Sequence, residues 1–121
     1  MEGELNPVIH QPTRLKIMGA LYRNRRLNYK TLRDGLGLTD GNLASHVARL
    51  EQEGYVASGR VLVNLSFEVV YRITPEGDAA FRDYLQALRG MLAELEGPPP
   101  DDPSSTPRGG DNLSGTPRGS T

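Results

Sequence analysis

The chain has 121 residues, 36% of them hydrophobic, and carries 14 lysines and arginines against 15 acids for a net charge of −1. That length allows one domain of ordinary size, and the near-neutral balance excludes a chain that holds nucleic acid by bulk positive charge alone. The absence of cysteine excludes a disulfide framework and a thiolate metal site. With an acidic start and no stretch near the ~18 apolar residues of a membrane span, a cytoplasmic location is expected.

Charge is unevenly placed. Between Arg14 and Arg33 lie Lys16, Arg23, Arg25, Arg26 and Lys30 and no acid, whereas Thr74 to Glu96 holds Glu76, Asp78, Asp83, Glu94 and Glu96 against Arg82 and Arg89. The expectation is one basic surface and an acidic far side.

Taken in order, Pro12 suits a first helical turn, and Leu15, Ile17, Met18 and Leu21 follow at helical spacing, predicting a helix from about Gln11 to Tyr22. Asn24-Arg25-Arg26 reads as a basic turn and Leu27 as the entry to a very short strand. Asn28 is the candidate N-cap of a second helix, Tyr29 to about Leu36, with Leu32 and Leu36 inward and Gly37 as its left-handed stop.

A third helix over Asp40–Glu51, with Asp40 as the expected cap, places Leu43, Val47 and Leu50 on one side. Its opposite face presents Gly41, Asn42, Ser45 and Arg49, with His46 on the flank, and neither a bulky aliphatic residue nor an acid. Helix, short glycine-containing turn and helix make the helix-turn-helix arrangement, whose second helix enters the DNA major groove. Gly54 closes the third helix after Glu53.

From Tyr55 to Ile73 the chain turns β-branched and aromatic, with Val61, Val63, Val69, Tyr71 and Ile73 at period two and Asn64–Phe67 as the turn of a hairpin. A lone hairpin is marginal in water, so this one is expected to pack on the helices as a wing. Thr74-Pro75-Glu76 starts a last helix, about 75–96, with Phe81, Leu85, Leu88, Leu92 and Leu95 at spacings of four, three, four and three. The stripe is longer than a small domain needs, so an inter-subunit helix pair is preferred over packing on its own domain alone. Residues 97–121 are rich in Pro, Gly, Ser and Thr, contain a repeated Thr-Pro-Arg-Gly, and are expected to be a disordered tail. The fold class is therefore mainly α with a small β-hairpin wing: residues 1–96 form a winged helix-turn-helix plus a C-terminal dimerisation helix.

The run Leu38-Thr39-Asp40-Gly41-Asn42-Leu43, His46, and Leu50-Glu51 followed by Gly54-Tyr55-Val56 resemble the compact MarR/ArsR-like winged helix regulators of bacteria and archaea, as does Thr74-x-x-Gly77-x-x-Ala80-Phe81. The resemblance covers about Val8 to Leu95. It implies a homodimer held by terminal helices, recognition helices in successive major grooves and wings on flanking minor grooves. One departure matters. Relatives carry lysines and arginines and a proline at the wing tip, where this chain has Leu65, Ser66 and Phe67; only Arg60 and Arg72 remain as wing cations. Each lost phosphate contact weakens binding and flattens its salt dependence.

For double-stranded DNA the candidate contacts are Lys30, Thr31 and Thr39 for phosphates, Gly41 for close approach, Asn42, Ser45 and Arg49 for base edges, and Arg60 and Arg72 on the wing. His46 either bonds a phosphate or borders the core. The second reading is a winged-helix protein-interaction module with weak or no DNA binding, using the apolar wing tip. Enzymatic readings fail: Ser45 and His46 are adjacent, pointing ~100° apart, and cannot form a nucleophile–base pair. With His10 and His46 the only histidines, no transition-metal site is expected and no cofactor is implied. The family also sometimes binds small aromatic effectors between the dimer helix and the winged helix, for which Tyr22, Tyr84 and Met91 are candidates, against a plain core role.

Overall fold

The structure, a computed structural model, describes residues 4–98. The elements are α1 (Pro12–Asn24), β1 (Arg26–Asn28), α2 (Tyr29–Leu36), α3 (Asp40–Gln52), β2 (Val56–Val63), β3 (Ser66–Ile73) and α4 (Pro75–Glu96). Each helix start has a local cause. Gln11 accepts from the Arg14 N–H with Pro12 next in line, and Asn28 accepts from the Thr31 N–H. Thr74 Oγ1 accepts from the Gly77 N–H and donates to the Gly54 carbonyl. Gly37, at φ 67°, ends α2 in the left-handed conformation read from the sequence.

The cap of α3 corrects the sequence reading. Thr39, not Asp40, is the N-cap, its Oγ1 accepting from the Asn42 N–H at 3.1 Å. Asp40 is the first helical residue, and its carboxylate is taken up across the turn, as described below.

Ile17, Met18 and Leu21 of α1 meet Leu32 of α2 and Leu43, Val47 and Leu50 of α3 in one buried core, closed by Val8 and Ile9 before α1. The triangle of apolar stripes fixes α3 with its other side outward. Fully burying each such side chain contributes about 1.5–3 kcal/mol, enough to make this orientation the favoured one.

The sheet has strand order β1-β3-β2, all antiparallel, with Leu27 opposite Tyr71 and an unbroken β2–β3 register from Val56–Ile73 to Val63–Ser66. Val56, Tyr71 and Ile73 at its base are buried, but Leu62, Val63, Leu65, Phe67 and Val69 are exposed. The hairpin therefore packs on the helices only at its root, and its outer half stands clear of the core. The expected packing on the helices is thus met at the root alone, where β1 also supplies a third strand. Asn64 and Leu65 form the two-residue turn, both at positive φ (50° and 66°), as a type I′ hairpin requires.

At the base of α4, Gly77 lies against the Tyr55 backbone so closely that an added Cβ would stand 2.1 Å from the Tyr55 carbonyl oxygen. Phe81 and Tyr84 are buried in the core, with Phe81 5.0 Å from Tyr22 ring to ring. Leu85 and Leu88 are partly buried against it. Further along the helix Leu92 and Leu95 are exposed. Phe81 thus belongs to the domain's own core, which removes it from any seam with a second subunit. The tail expected over 97–121 lies outside the described residues beyond Pro98. No helix among the described residues is long and apolar enough to cross a membrane.

Candidate nucleic-acid interface

With Leu43, Val47 and Leu50 inward, α3 turns Gly41, Asn42, Ser45 and Arg49 to solvent, together with Ala44 and Ala48. The side chains are short, so a surface can approach the helix backbone closely, while Asn42, Ser45 and Arg49 supply donors and acceptors. Arg49 is not idle: its Nη1 donates to Glu53 Oε2 at 2.6 Å, one turn further on. Both partners are about 40% exposed, so the pair is weak in water and is broken readily when a better acceptor arrives.

His46 is half-buried and its Nδ1 lies 3.2 Å from Arg14 Nη1. A guanidinium has only donors, so Nδ1 must accept and the neutral imidazole carries its proton on Nε2. Arg14 is held at a second point, its Nε donating to the Val8 carbonyl at 2.5 Å. His46 is thus tied to Arg14 through one ring nitrogen, and in that tautomer its Nε2–H is a donor with no acceptor among the described residues.

The turn between α2 and α3 is clamped. Tyr29 O–H donates to Asp40 Oδ1, and Arg33 donates to the same oxygen through Nη1 at 2.8 Å and to Asp34 through Nε at 2.9 Å. The Tyr29 hydroxyl and then the Arg33 guanidinium hold the Asp40 carboxyl below the usual range, and the same carboxylate raises Tyr29. Sequence reasoning missed this network because Tyr29 and Arg33 reach Asp40 over 11 and 7 residues, a spacing with no local signature.

Lys30 and Thr31 are exposed in the first turn of α2, and neither Lys30 nor Arg72 makes an ion pair among the described residues. Thr39 keeps its hydroxyl proton for an outside acceptor while its oxygen caps α3. Arg72 on β3 sits directly opposite Arg26 on β1, so the wing base carries a pair of cations where the sequence named one. Arg60 stacks over the Phe67 ring at 5.0 Å. Of the basic run, Arg25 pairs with Asp78 at 2.8 Å and Asp78 with Arg82 at 3.0 Å. The expected separation of a basic surface from an acidic far side therefore fails at the α1–α4 contact.

Helix-turn-helix, three-stranded sheet and wing together decide the family. Residues 13–92 match the profile of the winged helix DNA-binding domain. The chain belongs to this family. It is 28% identical over 89 residues to an uncharacterised protein of Methanocaldococcus jannaschii, covering 74% of this chain and 97% of that one. A transcriptional regulator homologue from Pyrococcus horikoshii OT3 is 30% identical, with a TM-score of 0.71 over 75% of this chain and 90% of that one. NadR, solved with 4-hydroxyphenylacetate, shares the fold at 19% identity and a TM-score of 0.59, covering 75% of this chain and 69% of that one. The expectation of a winged helix regulator is thus borne out: the chain belongs to a winged helix DNA-binding family and is similar to a transcriptional regulator homologue.

Proposed function

We propose that this winged-helix protein works as a homodimeric, sequence-specific transcriptional regulator with α3 in the major groove of DNA. The observation that carries the reading is the outward face of α3, whose acid-free row Asn42, Ser45 and Arg49 is held out by three fully buried aliphatic residues. Arg49 suits guanine and Asn42 adenine by stereochemistry, while Thr39, Lys30 and Thr31 suit phosphates. Gly41 permits close approach, and His46 offers Nε2–H as a further donor. Arg60 and Arg72 serve the wing side. For the dimer, Leu85, Leu88, Leu92 and Leu95 supply the apolar stripe of α4 once Phe81 is assigned to the core.

Mobility shift on the promoter of its own operon, at several salt concentrations, tests this with wild type and Arg49→Ala. Salt-dependent binding that Arg49→Ala weakens is the expected result. If neither protein binds duplex while size analysis still gives a dimer, the regulator reading fails and the interaction-module reading, favoured by the exposed apolar wing, takes its place. As NadR is solved with 4-hydroxyphenylacetate, an aromatic effector is a second element of the proposal. In this chain it would fall to Tyr22 and Met91, because Tyr84 is buried with its hydroxyl 2.8 Å from His10 Nδ1.

A further inference from the structure

The outer half of the wing carries an observation that DNA recognition does not use. Residues 61–67, Val-Leu-Val-Asn-Leu-Ser-Phe, hold no charge, no proline and no glycine. Leu62 and Phe67 lie on one face with Val69 just beyond them, Val61 and Val63 on the other, and Leu65 at the apex, 95% exposed. β2 lies at the edge of the sheet, eight residues long and paired without a bulge to β3, with no strand on its outer side among the described residues. Soluble proteins blunt such edges with charge, proline or bulges, because unpaired N–H and C=O groups template a further strand. Here none of those devices is present beyond Arg60, and that cation is turned onto Phe67. The apex adds a second, independent sign. Leu65 stands at φ 66°, where glycine is the favoured residue of a type I′ turn; an aliphatic side chain kept there against backbone strain points to use of that side chain.

We propose that the outer edge of β2 pairs antiparallel with β2 of a second copy of this chain, joining wing to wing. Charge selects this occupant. An antiparallel pairing centred on Leu62 sets Val61 against Val63 and Arg60 against Asn64, so no charge opposes a like charge. A stretch that is uncharged and self-complementary fits itself better than it fits the phosphates a wing ordinarily meets. Five of these side chains are exposed on each copy, against roughly 20–30 residues a side in a stable interface. Wing pairing is therefore a weak, concentration-dependent step between units already formed, such as neighbouring dimers on one duplex.

Sedimentation velocity over a wide concentration range, with hydrogen exchange on the same samples, tests the pairing in wild type and Leu62→Lys. Leu62 is 58% exposed, so the lysine leaves the core intact. Expected for wild type is an association step that strengthens with concentration and protects the alternate β2 amides that face away from β3. Leu62→Lys should weaken that step by about two- to fivefold by putting like charges opposite each other, while binding to an isolated single site is kept. An association series identical in the two proteins overturns the proposal. So does loss of single-site DNA binding in Leu62→Lys with assembly unchanged, which would assign the wing to DNA. Failure of the regulator reading looks different: wing pairing would persist without duplex binding.

Discussion

Gly77→Ala offers a direct test of how the base of α4 is fastened to the winged helix. In an exposed helix interior, replacing glycine by alanine gains about 1 kcal/mol. At Gly77 the new Cβ would stand 2.1 Å from the Tyr55 oxygen, 2.9 Å from its carbonyl carbon and 3.0 Å from its Cα. All three are backbone atoms, so no side-chain rotation relieves the clash. Reaching the 3.4 Å of ordinary contact opens the joint by about 1.3 Å. That joint holds the Thr74 N–H to Tyr55 O bond at 3.0 Å and the Thr74 Oγ1 to Gly54 O bond at 2.6 Å. Overpacking of this kind costs about 1–3 kcal/mol and each strained hydrogen bond up to about 1 kcal/mol more. After the gain in helix propensity, the net loss is about 1–3 kcal/mol, a fall in Tm of roughly 5–20 °C for a domain this size. Gly90→Ala is the matched control, in the same helix with nothing within 4 Å of its added Cβ, and is expected to raise Tm by several degrees. Thermal unfolding followed by circular dichroism, at one fixed protein concentration, reads both. Equal shifts of the same sign would refute the reasoning, because only at Gly77 does the methyl group meet backbone.

Other consequences are as specific. Asp40 is held below its ordinary pKa by Tyr29 and Arg33, so its contribution to stability is full above about pH 4, the unfolded range, and is lost as pH falls through the folded value. Asp40→Asn should therefore flatten the acid limb of a urea-midpoint titration, and an unchanged limb would exclude the clamp. Arg49→Ala should cost about 1–3 kcal/mol of duplex affinity, while Glu53→Gln, which releases Arg49, should raise affinity by about two- to fivefold; fluorescence anisotropy on one duplex at one salt concentration checks the pair. Long-range ¹⁵N–¹H spectra should find His46 as the Nε2–H tautomer in wild type and as a mixture in Arg14→Met.

Much of this arrangement was legible in the sequence, and what was legible was local. The Asn28 cap, the Gly37 stop and the Thr74-Pro75 start all act within a few residues of their own position, and each stands where the sequence placed it. The α3 stripe Leu43, Val47 and Leu50 is read from spacing and buried as expected. What escaped was decided at long range. Thr39 and Asp40 are both short oxygen-bearing residues suited to capping; Asp40 is claimed by Tyr29 and Arg33 across the turn, leaving the cap to Thr39. Phe81 lies on the same helical stripe as Leu88, yet only the tertiary position of Tyr22 decides that it belongs inside. Arg26 gained its place beside Arg72 from a β1–β3 pairing that spans 46 residues of sequence. The Arg49–Glu53 pair has a local signature, opposite charges at i, i+4, with Glu53 lying just past the expected end of the third helix at Glu51.

These corrections bear on how the binding work is divided. A wing that grips DNA does so through phosphates, and each phosphate contact adds about 0.9 to the slope of log K against log salt. Arg60 is stacked on Phe67, and Arg26 and Arg72 lie at the base of the hairpin, so the wing of this protein offers cations at its root and carbon at its end. In the proposed reading α3, the helix assigned to the groove, has the reverse character: few cations, short polar side chains, and a turn tied by Tyr29, Arg33 and Asp40. Pre-organisation of this sort lowers the ordering cost of binding rather than adding charge. If α3 is the groove-reading helix we propose, affinity should depend on its fit more than on salt. An apolar wing is compatible with that division because the buried core, with the clamp beside it, has already set the orientation of α3.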